Sequence, residues 1–297
     1  MPLLSICTLG RYSVALGERP ATGFESTKVR ALLAFLVVES DRPHSRESLA
    51  GLLWPDYPQS SAMKSLRNAL ANLRRAIGDP SASPPHLLIT RDAIQFNTAS
   101  EYWLDTVELN KALLPIRGGK SSRLDPPVVD SLDAAISLYH DRFLEGFSVP
   151  DSQPFEEWVL LKREQLNREV MQALRGLADY FEASGDYGQA LPYAWRQVEL
   201  ERWQEEGHRQ LMRLLALSGR RSEALTQYDT CTQMLKQDLG VEPSSITTAL
   251  YEAIRDGKIA PGMPRPLEHL PSPGEPPYKA CNSSMRRTRG CSSAASV

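Results

Sequence analysis

Residues 63–77 carry Lys64, Arg67, Arg74 and Arg75, two asparagines, Asn68 and Asn72, and no carboxylate. At about 100° per residue, Ser61, Lys64, Asn68, Ala71, Asn72 and Arg75 share one pole of a helix, with Arg67 and Arg74 on its flank. Arg and Lys reach guanine edges or phosphates, Asn pairs bidentately with adenine, and an acid on that pole would repel a phosphate backbone. Ser61, Lys64, Arg67, Asn68, Asn72 and Arg75 are therefore the candidate groove-facing residues. An isolated basic helix is usually only a solvated face, so the neighbouring elements decide between the two.

The opposite pole, Ala62, Leu66, Ala69, Leu70, Leu73 and Ile77, predicts a helix from about 60 to 77, stopped by Gly78-Asp79-Pro80. Two short apolar runs at 3–9 and 11–16 flank Gly10 and suit a strand pair. From Ser26, the spacing of Val29, Leu32, Leu33, Leu36 and Val37 predicts a first helix. A second, shorter one follows, with Ser45 as N-cap, Leu49, Leu52 and Leu53 as its buried stripe and Pro55 forcing the exit. After the third helix, residues 87–96 read as two strands around a turn with Arg91 near the tip. A strand pair, three helices and a terminal hairpin are the parts, in order, of a winged helix-turn-helix. In that fold the third helix enters the major groove and the wing touches the flanking backbone. Arg91, and Lys28 or Arg30 near the first helix, are then the expected phosphate contacts.

Residues 127–257 read as almost entirely helical, with breaks at Gly146, Gly185, Gly219 and Gly240. Ser184-Gly185-Asp186-Tyr187-Gly188-Gln189-Ala190-Leu191 recurs 34 residues later as Ser218-Gly219-Arg220-Arg221-Ser222-Glu223-Ala224-Leu225, the tetratricopeptide period. Each such helix pair buries its apolar face only against a neighbour, and the stacked surface usually binds protein. Leu174, Leu177, Phe181, Tyr187, Leu191, Leu211, Leu215, Leu225 and Tyr228 are expected to be core rather than ligand contacts. The fold class is thus mainly α, a winged helix (α+β) followed by an all-α tetratricopeptide-like domain. The expected division is 1–98, 99–258 and a disordered tail at 259–297.

Charge follows that division. Residues 1–98 hold eleven Lys/Arg against eight Asp/Glu, residues 99–260 eighteen against twenty-six, and the tail five against two. The excess of cations sits where contact with a polyanion is expected. The tail is Pro-rich and then Ser/Arg-rich without apolar periodicity, too little to offset ordering entropy.

Lys28-Val29-Arg30-Ala31-Leu32-Leu33-Ala34-Phe35-Leu36, Arg46-Glu47-Ser48-Leu49-Ala50-Gly51-Leu52-Leu53-Trp54-Pro55 and residues 66–78 closely resemble the OmpR-like winged helix of SARP-type bacterial transcriptional activators. Leu138-Tyr139, Phe143-Leu144-Glu145-Gly146-Phe147, Phe155-Glu156-Glu157-Trp158, His208-Arg209-Gln210-Leu211-Met212 and Leu239-Gly240-Val241-Glu242-Pro243 resemble the activation domain that follows it in that family. The resemblance spans residues 3–256. It implies a regulator that binds double-stranded promoter DNA, at tandem repeats as a homodimer, and contacts RNA polymerase. Pro264-Arg265-Pro266-Leu267-Glu268-His269-Leu270-Pro271 is similar to the linker that, in larger relatives, leads into a nucleotide-binding ATPase domain. Here a short Ser/Arg-rich run follows instead, as expected of a truncated form. The rival reading is a tetratricopeptide-type adaptor whose winged helix binds protein.

Enzyme chemistry finds little support. Gly118-Gly119-Lys120-Ser121 lacks the earlier glycine of a phosphate loop, a position held by Leu114, and reads as a loop. Gly146-Phe147-Ser148-Val149-Pro150 ends in proline where a nucleophile elbow requires glycine and reads as a helix exit. The five histidines lack metal-ligand spacing, and the four cysteines form neither a C-x-x-C pair nor a disulfide framework. No catalytic residue, cofactor or metal is expected. The longest apolar run, residues 31–38, is far short of the roughly 20 residues of a membrane span, and the N-terminus has no signal-peptide pattern, so a cytoplasmic location is expected.

Overall fold

The computed structural model describes residues 3–117 and 124–259. The Gly118-Gly119-Lys120-Ser121 loop and the tail from Ala260 onward lie outside these residues. Leu4–Cys7 (β1) and Ser13–Leu16 (β2) pair antiparallel, Leu4 opposite Leu16 and Cys7 opposite Ser13. Gly10 turns between them at φ +105°, a conformation that costs glycine little. Arg19–Pro20 (β3) lengthens the far edge of this sheet.

Thr27–Val38 (α1) has seven of its twelve residues buried and runs through the middle of the core. His44–Ser45 (β4) leads into Arg46–Leu53 (α2), whose first turn is capped by the Ser45 hydroxyl accepting from the Ser48 amide at 3.0 Å. Gln59–Ala76 (α3) buries Ala62, Leu66, Ala69, Leu70 and Leu73, the expected apolar pole. Leu87–Ile89 (β5) and Ala93–Phe96 (β6) form the antiparallel hairpin, and β4 adds a third strand beside β6.

Tyr102–Leu104 (β7) returns to pair parallel with β1 and completes the first sheet in the order β3-β2-β1-β7. Asp105, which opens Asp105–Leu113 (α4), fixes that return. Its carboxylate accepts from the amides of Thr8 (2.6 Å), Leu9 (2.7 Å) and Thr106 (2.8 Å) and from the Thr8 hydroxyl (2.7 Å). Burial pushes this carboxyl above the usual carboxylate range, against the pull of those four donors.

Pro126–Ile136 (α5), Gln153–Ala183 (α6), Tyr187–Leu200 (α7), Glu205–Leu217 (α8), Arg221–Met234 (α9) and Ser245–Arg255 (α10) make the helical part. The expectation of nearly continuous helix from 127 needs correcting. Residues 137–152 are not helical, because their backbone is claimed by the first sheet: Leu144 donates to the Thr8 carbonyl, Gly10 to Arg142 and Glu145 to Gly10. Gly146 therefore leads towards α6 rather than out of a helix.

The 34-residue period marks two equivalent helix ends. Gly185 and Gly219 take φ of +77° and +83°, and the closing bonds Asp186 to Phe181 and Arg220 to Leu215 repeat at the same offset. Leu174, Leu177, Leu191, Leu211 and Leu215 are buried as expected, and Phe181, Tyr187, Leu225 and Tyr228 pack half-buried against them. One apolar cluster extends from Leu4 in β1 to Leu177 in α6, and a second joins α7 to α10.

Candidate nucleic-acid interface

The residues that buttress α3 are apolar, and those on its outer face are not. Ser61, Lys64, Arg67 and Asn68 are exposed, and among the described residues no side chain is hydrogen-bonded or ion-paired with any of the four. The helix begins after Pro58 with neither a side-chain cap nor an acid in its first turn, which leaves the positive end of its dipole uncompensated there. The Glu47 carboxylate of α2 accepts from the Gln59 side-chain amide at 3.5 Å. Arg91 is exposed at the turn between β5 and β6.

Asn72, expected on the same outer pole, is only 3% exposed. Its Oδ1 accepts from the Glu25 amide at 3.1 Å and its Nδ2 donates to the Gly23 carbonyl at 2.8 Å. The segment before α1 folds over this edge of α3, so Asn72 holds a loop and is withdrawn from the candidate contacts. Arg75 is exposed but ion-paired with Glu25 at 3.2 Å, a surface pair with a small net worth.

The two expected phosphate contacts in α1 are also committed within the molecule. Lys28 is ion-paired with Asp151 at 2.7 Å and lies 5.5 Å above the Trp54 ring and 5.7 Å from that of Tyr57. Arg30 donates to the Tyr12 carbonyl at 3.0 Å and stacks on the rings of Tyr12 and Phe147. Both tie the N-terminal elements to residues 147–151. No local sequence signal shows this, because Phe147 and Asp151 lie more than a hundred residues away.

Three residues that periodicity does not single out hold these elements together. Asp79, buried just past α3, accepts from the Arg74 guanidinium at 2.8 Å and from the Leu87 amide at 2.9 Å. Arg46 at the start of α2 reaches the Thr90 carbonyl in the wing turn. Glu39, at the end of α1, accepts from Lys162 (2.8 Å) and from the Trp158 indole (2.9 Å), and these partners hold its carboxyl below the usual range against the cost of burial.

A winged helix with an open third-helix face is thus joined to a tetratricopeptide-like stack. Residues 120–255 match the bacterial transcriptional activator domain. With that domain behind the winged helix, the chain resembles the SARP-type regulators in the order of its parts.

It is 26% identical over 227 residues to the regulatory protein AfsR of Streptomyces coelicolor, covering 76% of this chain and 22% of that one. It is 26% identical over 252 residues to the transcriptional regulatory protein EmbR of Mycobacterium tuberculosis, with 76% and 57% covered. To MoaR1 of the same organism it is 24% identical over 233 residues, with 76% and 71% covered. The chain thus spans about a fifth of the first of these relatives and little over half of the second. The structure of M. tuberculosis EmbR in complex with a low-affinity phosphopeptide superposes with a TM-score of 0.61 at 22% identity, covering 86% of this chain and 66% of that one, and shows the shared fold. No helix among the described residues is long and apolar enough to cross a membrane.

Proposed function

We propose that this chain is a transcriptional regulator that binds double-stranded promoter DNA sequence-specifically. In this reading α3 lies in the major groove, with Ser61, Lys64, Arg67, Asn68 and Arg75 towards base edges and phosphates, and Arg91 of the wing meets the flanking backbone. One observation carries the reading: the outer face of α3 holds cations and an amide but no acid, and four of its side chains have no partner among the described residues. Unpartnered donors at helical spacing are what direct readout requires.

The names of the relatives support regulation of transcription. The domain matched at 120–255 supports assigning contact with RNA polymerase, or with a partner protein, to the helical part. Binding as a homodimer at tandem repeats follows from the family resemblance.

The test is fluorescence anisotropy on DNA from the chain's own upstream region against scrambled DNA, titrated from about 50 to 200 mM salt. Tighter binding to the native sequence with a steep salt loss is expected. Equal binding to both would remove sequence-specific recognition, and no binding at low salt would move the function to the helical domain.

A further inference from the structure

The wing turn is anchored unequally along its length. At its base, β4 holds β6 through the pairs His44 with Ile94 and Ser45 with Ala93. Beyond Ala93 the strand pairing ends, and Thr90 closes the turn on itself: its amide and hydroxyl both donate to the Ala93 carbonyl, and its hydroxyl accepts from the Ala93 amide. Such a closed turn still swings about its stem unless something outside it takes hold.

Arg46 takes hold of it at two points. Its Nε and Nη2 both donate to the Thr90 carbonyl, at 3.3 and 3.0 Å, and its own amide donates to the Asp92 carbonyl at 3.0 Å. These contacts bracket Arg91, one on each side. Arg46 is the first residue of α2, which packs directly on α3. The wing turn is thereby referenced to the helix pair that carries the exposed face of α3. Arg46 differs from three other fixed cations of this part of the chain and resembles Arg30, which is likewise held by a carbonyl. Lys28, Arg74 and Arg75 are neutralised by Asp151, Asp79 and Glu25, whereas the guanidinium of Arg46 is held by a carbonyl and keeps its full charge.

We propose that Arg46 is a positioning residue for nucleic-acid binding: it fixes the wing turn so that Arg91 meets the phosphate backbone in register with α3. This rests on the DNA-binding reading above. In the absence of the latch, Arg91 loses its defined position and its phosphate contact weakens.

The experiment is a double-mutant cycle with the full chain on its upstream DNA, using R46A, R91A and R46A/R91A across about 50 to 200 mM salt. R91A is expected to lower the salt slope by about one, so that the loss of affinity over that range becomes about fourfold smaller. R46A is expected to reproduce most of that change, the double variant to add little to either, and R46K to recover part of it through one remaining donor. Multiplicative losses in the double variant would overturn the proposal while leaving DNA binding intact. If the wild-type protein itself fails to bind, the DNA reading falls and this proposal with it.

A second measurement needs no DNA. Hydrogen exchange of the Ala93 amide should be faster in R46A, and unchanged exchange would show that Arg46 does not brace the turn.

Discussion

Arg74 and Asp79 are joined at 2.8 Å across the end of α3, and the second oxygen of Asp79 takes the amide of Leu87 in β5 at 2.9 Å. One buried carboxylate thus fastens the last turn of the helix to the first strand of the wing. Asp79→Ala strands the buried Leu87 amide and removes the carboxylate partner of the half-exposed Arg74. It should cost about 2 to 4 kcal/mol in urea denaturation, with Asp79→Asn, which keeps an acceptor, costing less. A change below about 0.5 kcal/mol would mean that solvent replaces the bond.

The exposed and the committed residues of the N-terminal part should separate in two assays. Arg67→Ala or Asn68→Ala should weaken binding to the upstream DNA by roughly 1 to 3 kcal/mol with little change in stability, the effect of a lost base contact. Asn72→Ala should do the reverse, destabilising the fold by about 1 to 2 kcal/mol through its two lost loop bonds while the folded protein keeps its affinity. An affinity loss in Asn72→Ala without a change in melting temperature would return that residue to the interface.

A fragment ending at residue 98 lacks β7 and Asp105, and therefore the acceptor of the Thr8 and Leu9 amides. Thermal melts should show it unfolding well below a fragment that continues to residue 117. Within the full chain, Asp105→Ala should cost roughly 2 to 4 kcal/mol, since two buried backbone donors lose their partner at once. Equal melting of the two fragments would show that β1 is held without its parallel neighbour.

Stability should fall on mild acidification, with His208 a principal cause. Its Nε2 bonds the Arg202 carbonyl at 2.8 Å and its Nδ1 receives the Gln227 amide at 2.7 Å, an arrangement that suits the neutral ring. Burial depresses its pKa, and that of His86 in the same direction, so the unfolded chain takes up protons more readily. Stability is therefore full above the ordinary histidine value of about 6.5 and declines as the pH drops through it. Melting temperatures at about pH 7.5 and 5.5 should differ less in His208→Gln than in the wild type, and an equal difference would clear His208.

Much of the scaffold was legible from local pattern. The apolar pole of α3, the Ser45 cap and the hairpin around Arg91 each depend on residues within a few positions of one another, where periodicity and capping chemistry act. The 34-residue repeat likewise marked two helix ends that turn on left-handed glycines. What stayed hidden was long-range. β7 is three residues that become a strand only beside β1, and residues 137–152 give up helix for bonds to Thr8 and Gly10. The internal partners of Asn72, Lys28 and Arg30 stayed hidden as well. A helical wheel places a side chain on a face but says nothing about which distant loop lies over it.

The unbroken core from β1 into α6 gives the molecule a mechanical property. With 31 residues, α6 is about 46 Å long at 1.5 Å per residue, and its first turns are fixed to the winged helix through Phe155, Trp158 and Lys162. It acts as a lever clamped at one end. A force on the far helices that displaces its tip by roughly 5 Å would rotate the clamped end by about 6°, given that length. α2 packs on both α6 and α3, which joins that end to the outer helix of the winged part.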